Sequence, residues 1–135
     1  MKRDFLTLAD FTRAELDEIL QLAAALKRDL EAGKRPALLA GKTLAMIFEK
    51  PSLRTRVTFE VGMNQLGGHA VYLTPNDIQL GKRESVADIA RNLDRLVDLI
   101  MARTFAHETL IELAQYAAVP VINGLSDLLH PCQVR

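Results

Sequence analysis

Apolar and polar positions along the chain predict a regular succession of strands and helices. The apolar run at 43–48 has the length and composition of a strand that is buried on both faces. Helical spacing of apolar residues follows this run and stops at Gly67 and Gly68. The succession continues with predicted strands at 70–73, 97–102 and 119–122 and with predicted helices after Ser85 and at 107–118. This alternation predicts an α/β fold with an open, mainly four-stranded parallel sheet and helices on both faces, in three layers (αβα).

A further helix is predicted ahead of the first strand. Thr12 and Glu15 have the spacing of a capping box, in which each side chain accepts the backbone N–H of the other residue. Apolar residues then keep helical spacing as far as Gly33. The polar stretch at 74–84 is predicted to be a loop, and its length favours a functional role over a passive connection.

The composition narrows the class of protein. With 135 residues, of which 49% are hydrophobic, the chain has the size of one domain with a substantial core, and we assign 1–135 to that domain. The 17 basic and 17 acidic residues cancel, which disfavours nucleic acid and anionic membranes as partners. One cysteine excludes an internal disulfide, and no apolar stretch approaches the ~20 residues of a membrane span. We therefore expect a cytoplasmic location.

Several donors are concentrated where the first strand gives way to a helix. The segment 52–56 reads Ser-Leu-Arg-Thr-Arg, and Ser52 is placed to cap the helix that follows. Backbone N–H groups at a helix start point outward unpaired, and guanidinium groups match the oxygens of phosphate or carboxylate in pairs. The segment therefore predicts an anion site, with phosphate as the favoured ligand, although an ordinary capped and basic helix start has the same sequence pattern.

Polar residues follow other predicted strands as well. Arg103 comes after the third strand, and the segment 123–133, which includes His130, comes after the fourth. Ligands of open parallel sheets bind beyond the carboxyl ends of the strands, so these groups are expected to converge with 52–56 at one edge.

Two other reactive residue types receive no role from the pattern. His107 is expected to be a solvated residue in the first turn of a helix. Cys132 lacks a partner histidine at a suitable spacing and is expected to be a small buried thiol.

Four short motifs, taken together, resemble the amino-terminal half of the ornithine carbamoyltransferases. They are FEKPSLRTR at 48–56, LGGHA at 66–70, MAR at 101–103 and HPCQ at 130–133. The Ser-x-Arg-Thr-Arg and His-Pro-x-Gln elements are shared with aspartate carbamoyltransferases, whereas FEK, GGHA and the cysteine favour the ornithine branch. The resemblance covers essentially the whole chain.

The resemblance implies a role for each of the polar groups at this edge. The positions that hold the phosphate of carbamoyl phosphate are matched by Ser52, Leu53, Arg54 and Thr55. Leu53 stands where threonine is common in the family, so one hydroxyl contact is absent. Arg103 would bridge the phosphate and the carbonyl oxygen, His130 would donate to that oxygen, and Gln133 would hold the carbamoyl amide.

The family mechanism is a direct attack of a neutral amine on the carbamoyl carbon, through a tetrahedral intermediate that expels phosphate. Its catalytic residues here would be Arg103, His130 and Thr55, acting as a preorganised oxyanion hole worth a few kcal/mol per donor. The resemblance implies no metal and no other cofactor.

The resemblance also implies partners beyond carbamoyl phosphate and phosphate. Gln79, in the polar stretch, matches a residue that reaches into the site of a neighbouring subunit of a homotrimer. Family chains continue into a second domain that binds L-ornithine, and the 135 residues by themselves would lack that site and turnover. Two alternatives stay open: a carbamoyltransferase with another acceptor, such as aspartate, and a non-catalytic module for anion binding or assembly.

Overall fold

The computed structural model describes residues 2–133, which form four strands and five helices. The strands are β1 (Thr43–Phe48), β2 (His69–Leu73), β3 (Leu99–Arg103) and β4 (Val121–Asn123). The helices are α1 (Arg13–Glu31), α2 (Leu53–Gln65), α3 (Pro75–Ile78), α4 (Val86–Asp94) and α5 (His107–Tyr116), and a single 3₁₀ turn at Leu8–Asp10 precedes them. The described residues include no helix with the length and apolar character needed to cross a membrane.

The four strands form one parallel sheet in the order β2-β1-β3-β4. The central strand β1 is buried from Leu44 to Phe48, because strands flank it on both sides and helices cover both faces. Consecutive parallel strands must be joined by crossover connections, and these contain α2, α4 and α5. The predicted fold class, a mainly four-stranded parallel sheet between helical layers, is confirmed.

Two apolar clusters cover the two faces of the sheet. On one face, Met63 and Phe59 of α2 pack with Leu44, Met46 and Phe48 of β1. The other face carries the larger cluster, to which α4 and α5 contribute Ile89, Ala90, Leu110 and Leu113. Apolar side chains on both faces of the strands therefore fix the sheet between the helices. The loops at its carboxyl edge project from this frame.

Side-chain caps define the starts of most helices. Thr12 and Glu15 form the predicted capping box of α1, and Ser52 and Ser85 cap α2 and α4 by accepting the N–H of the third helical residue. Helix α5 differs, because its preceding residue is Ala106, which has no side chain that can accept a hydrogen bond.

The packing of the helices differs in part from the expectation of simple amphipathic patterns. None of the side chains of α1 is buried, although the helix carries Ile19, Leu20 and Leu22. In α2 only Met63 is buried, whereas Val57 and Val61 are about half exposed. Periodicity predicted that these segments are helices, but it did not predict which apolar faces find a partner.

The polar stretch at 74–84 is more ordered than the predicted loop. Thr74 and Asp77 form a capping box that starts the short helix α3, and Leu80 is buried and pairs with Glu84 in a β-bridge. The structure therefore corrects the expectation of an irregular connection. A Thr-Pro-x-Asp sequence, with proline at the first helical position, is the local signal for this turn.

Candidate functional site

The start of helix α2 presents unpaired backbone donors. The Ser52 hydroxyl accepts the Thr55 N–H at 3.4 Å, and the Ser52 carbonyl accepts the Arg56 N–H at 3.3 Å. Within residues 2–133 the N–H groups of Leu53 and Arg54 have no acceptor. The positive end of the helix dipole adds to their attraction for an anion. A local sequence of four residues thus forms the predicted cradle.

Arg103 joins this cradle from the neighbouring strand. It is the last residue of β3 rather than the first residue after it, and it pairs in register with Phe48 at the end of β1. Its Nη1 donates to Thr55 Oγ1 at 3.2 Å. Because this oxygen already accepts the guanidinium N–H, the Thr55 hydroxyl proton is free to point to a ligand. The parallel register thereby brings together two residues that are 48 positions apart in the sequence.

Two nitrogen atoms near this point are buried without a partner. Among the described residues, Arg103 Nε and His130 Nδ1 are buried and form no hydrogen bond. Burial lowers the pKa of the Arg103 guanidinium, which nonetheless stays protonated near neutral pH. Desolvation and, to a smaller degree, the charge of Arg103 lower the pKa of His130 below 6.5. His130 is therefore neutral at pH 7 and can donate through one ring nitrogen only.

A cavity of about 400 Å³ lies beside the segment that carries His130. Its lining includes both His130 and Gln133, and the cavity is open to solvent. Gln133 is itself exposed, and its N–H donates to the His130 carbonyl at 3.1 Å, so the two residues form one turn. The structure therefore brings His130 and Gln133 to the same edge as Arg103 and Thr55.

Three of the residues named from the sequence are exposed and form no hydrogen bond with Arg103, Thr55 or His130 within residues 2–133. Leu53 is 79% exposed and Arg54 is also exposed, both on the first turn of α2. Gln79 lies in a second cavity, of about 290 Å³, together with Glu49, Lys82 and Phe105. Its backbone is left-handed, with φ of 42°, and its side-chain amide donates weakly to the Asn76 carbonyl at 3.4 Å. Gln79 and His130 line different cavities of the described chain.

His107 was wrongly expected to be solvated. Its side chain is buried, and its Nδ1 lies 2.8 Å from the hydroxyl oxygen of Ser126, which is buried as well. Asp127 Oδ1 accepts the His107 N–H at 3.0 Å and so supplies the cap that Ala106 cannot. Neither contact had a signal in the sequence, because the partners come from segments 19 and 20 positions apart.

Cys132 was expected to be a buried thiol. The residue as a whole is exposed, but its Sγ lies 3.6 Å from the Asn123 carbonyl oxygen, and burial raises the pKa of the thiol to about 11. Within residues 2–133, no cluster of three or more histidine, cysteine, aspartate or glutamate side chains has the arrangement of a metal site. The groups that converge at the edge are donors, cationic or neutral, and the ligand that such an arrangement fits is an anion with further acceptor oxygens.

Comparisons with known proteins identify the family and the part of its members that this chain matches. Residues 3–134 match the family model described as aspartate/ornithine carbamoyltransferase, carbamoyl-P binding domain. An ornithine carbamoyltransferase from Anoxybacillus flavithermus is 60% identical over 131 residues, which cover 97% of this chain and 42% of that protein. The chain therefore spans less than half the length of this relative.

Solved structures give the same result. The ornithine carbamoyltransferase from Pyrococcus furiosus is 57% identical, with a TM-score of 0.95 over 96% of this chain and 42% of its own chain. A variant of N-acetyl-L-ornithine transcarbamylase, complexed with carbamyl phosphate and N-succinyl-L-norvaline, is 39% identical with a TM-score of 0.87. That match covers 96% of this chain and 44% of the other.

Proposed function

Since the chain belongs to the aspartate/ornithine carbamoyltransferase family, whose carbamoyl-phosphate-binding domain it matches over residues 3–134, we propose that it is the carbamoyl-phosphate-binding half of an ornithine carbamoyltransferase. The observation that carries the proposal is the hydrogen bond between Arg103 and Thr55. This bond joins the start of α2, which suits a phosphate, to the end of β3, beside which His130 lies. Carbamoyl phosphate has a phosphate group for the first place and a carbamoyl group for the second.

The phosphate would occupy the start of α2. Backbone N–H groups of Leu53 and Arg54 are free to bind its oxygens, and the Arg54 guanidinium can add a bidentate pair. The Ser52 hydroxyl supports this geometry by capping the helix, and Arg103 neutralises charge between phosphate and carbonyl. Charge that grows on the leaving phosphate during the reaction would be stabilised by the same groups.

The carbonyl oxygen would be held by Arg103, the Thr55 hydroxyl and His130. A neutral His130 whose Nδ1 is buried donates through Nε2, and this tautomer supplies an N–H without a competing positive charge. When an amine attacks the carbamoyl carbon, the carbon–nitrogen bond forms and the carbonyl oxygen gains negative charge. The bond to the phosphate oxygen then breaks, and the departing phosphate takes up the proton that the amine nitrogen loses. Donors fixed before the reaction stabilise that charge without reorganisation, and Gln133 would hold the carbamoyl amide.

L-Ornithine is proposed as the acceptor from the relatives' identity, because the 135 residues include no group assigned to its binding. An enzyme with N-acetylornithine or aspartate as acceptor would use the same phosphate site, and the N-acetyl-L-ornithine transcarbamylase shares this fold at 39% identity. By themselves the 135 residues are expected to bind carbamoyl phosphate but to produce no citrulline.

Calorimetric titration tests the proposed ligand. We choose phosphonoacetamide, a stable analogue in which a methylene replaces the bridging oxygen of carbamoyl phosphate, and inorganic phosphate as the second probe. The variant Thr55→Val should weaken binding of the analogue, whereas Thr58→Val, on the exposed side of the same helix, should not. If a folded wild-type chain gives neither heat nor thermal stabilisation with millimolar probe, the proposed function is wrong.

Homotrimer formation is the second part of the proposal. Gln79 is exposed in a cavity separate from that of His130, which suits a residue that serves the site of another copy. Along α2, Leu53, Val57 and Val61 form an exposed apolar row that offers surface for such contact. We expect light scattering to detect a trimer, and Gln79→Ala to weaken phosphonoacetamide binding by about threefold to tenfold, the loss of one hydrogen bond.

Asn76→Ala is the control for Gln79→Ala. Asn76 is also exposed and lies on α3, and its replacement should leave the affinity for phosphonoacetamide unchanged. Monomer at every concentration, combined with unchanged affinity of Gln79→Ala, would contradict the proposed assembly.

A further inference from the structure

The segment that carries His130 and Gln133, residues 124–133, is anchored to the sheet by its first residues. We call it the 124–133 loop. Gly124 donates its N–H to the Ala102 carbonyl at 2.8 Å, and a Cβ at this glycine would come within 2.5 Å of Met101 Sδ. Only glycine therefore permits this close approach of the loop to β3.

The next residue is strained. Leu125 has φ of 124°, a conformation that residues with a side chain rarely adopt. Two hydrogen bonds hold it there: its N–H donates to Asn123 Oδ1 at 2.8 Å, and its carbonyl accepts the Thr104 N–H at 2.9 Å. The path of the loop at this residue thus depends on one bond within the turn and on one bond to the distant Thr104.

Ser126 is the centre of the turn that leads to His130. Its buried hydroxyl oxygen accepts the N–H groups of Leu128 and Leu129 at 3.3 and 3.4 Å. The same oxygen lies 2.8 Å from His107 Nδ1, a contact that forms with either tautomer of this histidine. One atom therefore joins the turn to the first residue of α5.

Asp127 of the loop also bonds to the start of α5. Its carboxylate accepts the His107 N–H at 3.0 Å, and its own N–H donates to the Phe105 carbonyl at 2.9 Å. Helix α5 is fixed in turn by Leu110 and Leu113, which are fully buried in the larger apolar cluster. His107 consequently transmits the position of a rigid core helix to the loop.

His130 itself has no comparable restraint. Its Nδ1 forms no hydrogen bond within the described part of the chain, so no polar contact of that atom orients the ring. The ring must take its position from the backbone of the loop. We infer that His107 and Ser126 are positioning residues, which hold the 124–133 loop so that His130 and Gln133 reach the carbamoyl group of the ligand. This inference rests on the proposed function.

A purely structural role for the pair predicts a different result. Loss of a buried hydrogen bond destabilises the fold in either case, by an amount that thermal unfolding reports. A positioning role also lowers the affinity for the carbamoyl end of the ligand and leaves the affinity for the phosphate end unchanged, because the phosphate contacts α2 and the carbamoyl group contacts the loop. The ratio of the affinities for phosphonoacetamide and inorganic phosphate is therefore the decisive measurement.

We expect Ser126→Ala and His107→Leu to weaken phosphonoacetamide binding by about threefold to tenfold, the equivalent of one hydrogen bond, with phosphate affinity unchanged. His107→Asn, which keeps a polar atom at the position of Nδ1, should restore much of the ratio. As a second readout, NMR titration of the His130 ring should give a pKa in Ser126→Ala that lies closer to 6.5 than in the wild type, since a looser ring is less desolvated.

Leu44→Val is the matched control, because Leu44 lies in the smaller apolar cluster at the amino end of β1, so the change weakens core packing without touching α5 or a bond to the loop. It should lower the thermal midpoint and leave both the affinity ratio and the His130 pKa unchanged. Equal weakening of both probes by Ser126→Ala, or no change in either readout, overturns the inference. If the wild-type chain binds neither probe, the proposed function fails independently, and the His130 titration alone decides whether the pair positions the ring.

Discussion

The phosphate end and the carbamoyl end of the proposed site are built in different ways. At the phosphate end, four consecutive residues start a helix, and Ser52 caps it within the same turn. At the carbamoyl end, the 124–133 loop depends on contacts from β3, from Asn123 and from His107, up to 22 residues away in sequence. Loss of a distant contact to the loop should therefore alter the carbamoyl end without altering the phosphate end.

Arg103 is the residue that both ends share, and its removal should have the largest effect. Arg103→Leu is expected to weaken phosphonoacetamide binding by more than about a hundredfold, since two charge-assisted contacts are lost at once. The fold should be equally stable or more stable, because the buried Nε has no partner among residues 2–133. Calorimetry and thermal unfolding measure the two effects, and retained affinity would remove Arg103 from the site.

Arg54→Lys tests the phosphate end alone. A lysine ammonium is a point charge and cannot reproduce the planar guanidinium fork, so affinity should fall by about tenfold. The decrease should be the same for phosphonoacetamide and for inorganic phosphate, because both present the same phosphoryl oxygens to α2. Titration of each probe provides the comparison, with Arg28→Lys on α1 as a control for the general effect of replacing an exposed arginine.

A pH experiment tests the carbamoyl end. Desolvation and the Arg103 charge lower the pKa of His130 in the folded state, whereas the unfolded chain has the ordinary value near 6.5. The unfolded state therefore binds more protons as pH falls below about 6.5, and the folded state loses stability in that range. Wild-type protein should lose stability relative to His130→Gln between about pH 7 and pH 5, as measured by urea unfolding.

All other titratable groups are common to both proteins, so their contributions cancel in this difference. Parallel pH dependence of the two proteins would mean that His130 is not desolvated. Because the phosphate end relies on arginines and backbone N–H groups, changes there should not alter this difference.

Leu53→Thr should have the smallest effect and the opposite sign. Leu53 is 79% exposed at the first helical position, so its replacement removes little packing. A hydroxyl at this position can donate to a phosphate oxygen, and we expect affinity for both probes to rise by about threefold. Ile111→Thr, which replaces a half-exposed apolar residue on α5, is the control and should leave affinity unchanged. A lack of any increase for Leu53→Thr would place the ligand further from this side chain.

The same contrast explains how far the sequence predicted the molecule. Strand β1, the cap at Ser52 and the capping box at Thr12 are encoded in a few adjacent residues, and each was predicted correctly. The convergence of Arg103 and Thr55 followed from the rule that the carboxyl ends of parallel strands meet at one edge of the sheet. This rule needs only the succession of strands and helices along the chain. In contrast, the burial of His107 depends on Ser126, and no local pattern links two residues that are 19 positions apart.

Errors at the surface had another cause. Helical spacing in α1 and α2 correctly predicted helices, but the exposure of Ile19, Val57 and Val61 depends on which neighbours are present and not on the spacing. The polar composition of residues 74–84 predicted a loop and not the short helix α3, although Thr74 and Asp77 have the spacing of a capping box. The first case concerns tertiary context, which local patterns do not contain, whereas the second concerns a signal that is present in the local sequence.

The lack of buried side chains in α1 has a consequence for hydrogen exchange. Amide protons in α1 are protected by the helix's own hydrogen bonds and by the exposed pair between Arg3 and Glu15, so local opening of this helix exposes little new apolar surface. Amides of β1, in contrast, can exchange only when the sheet separates. In the 135-residue chain, deuterium should therefore enter α1 through local fluctuations, long before it enters the central strands through global unfolding.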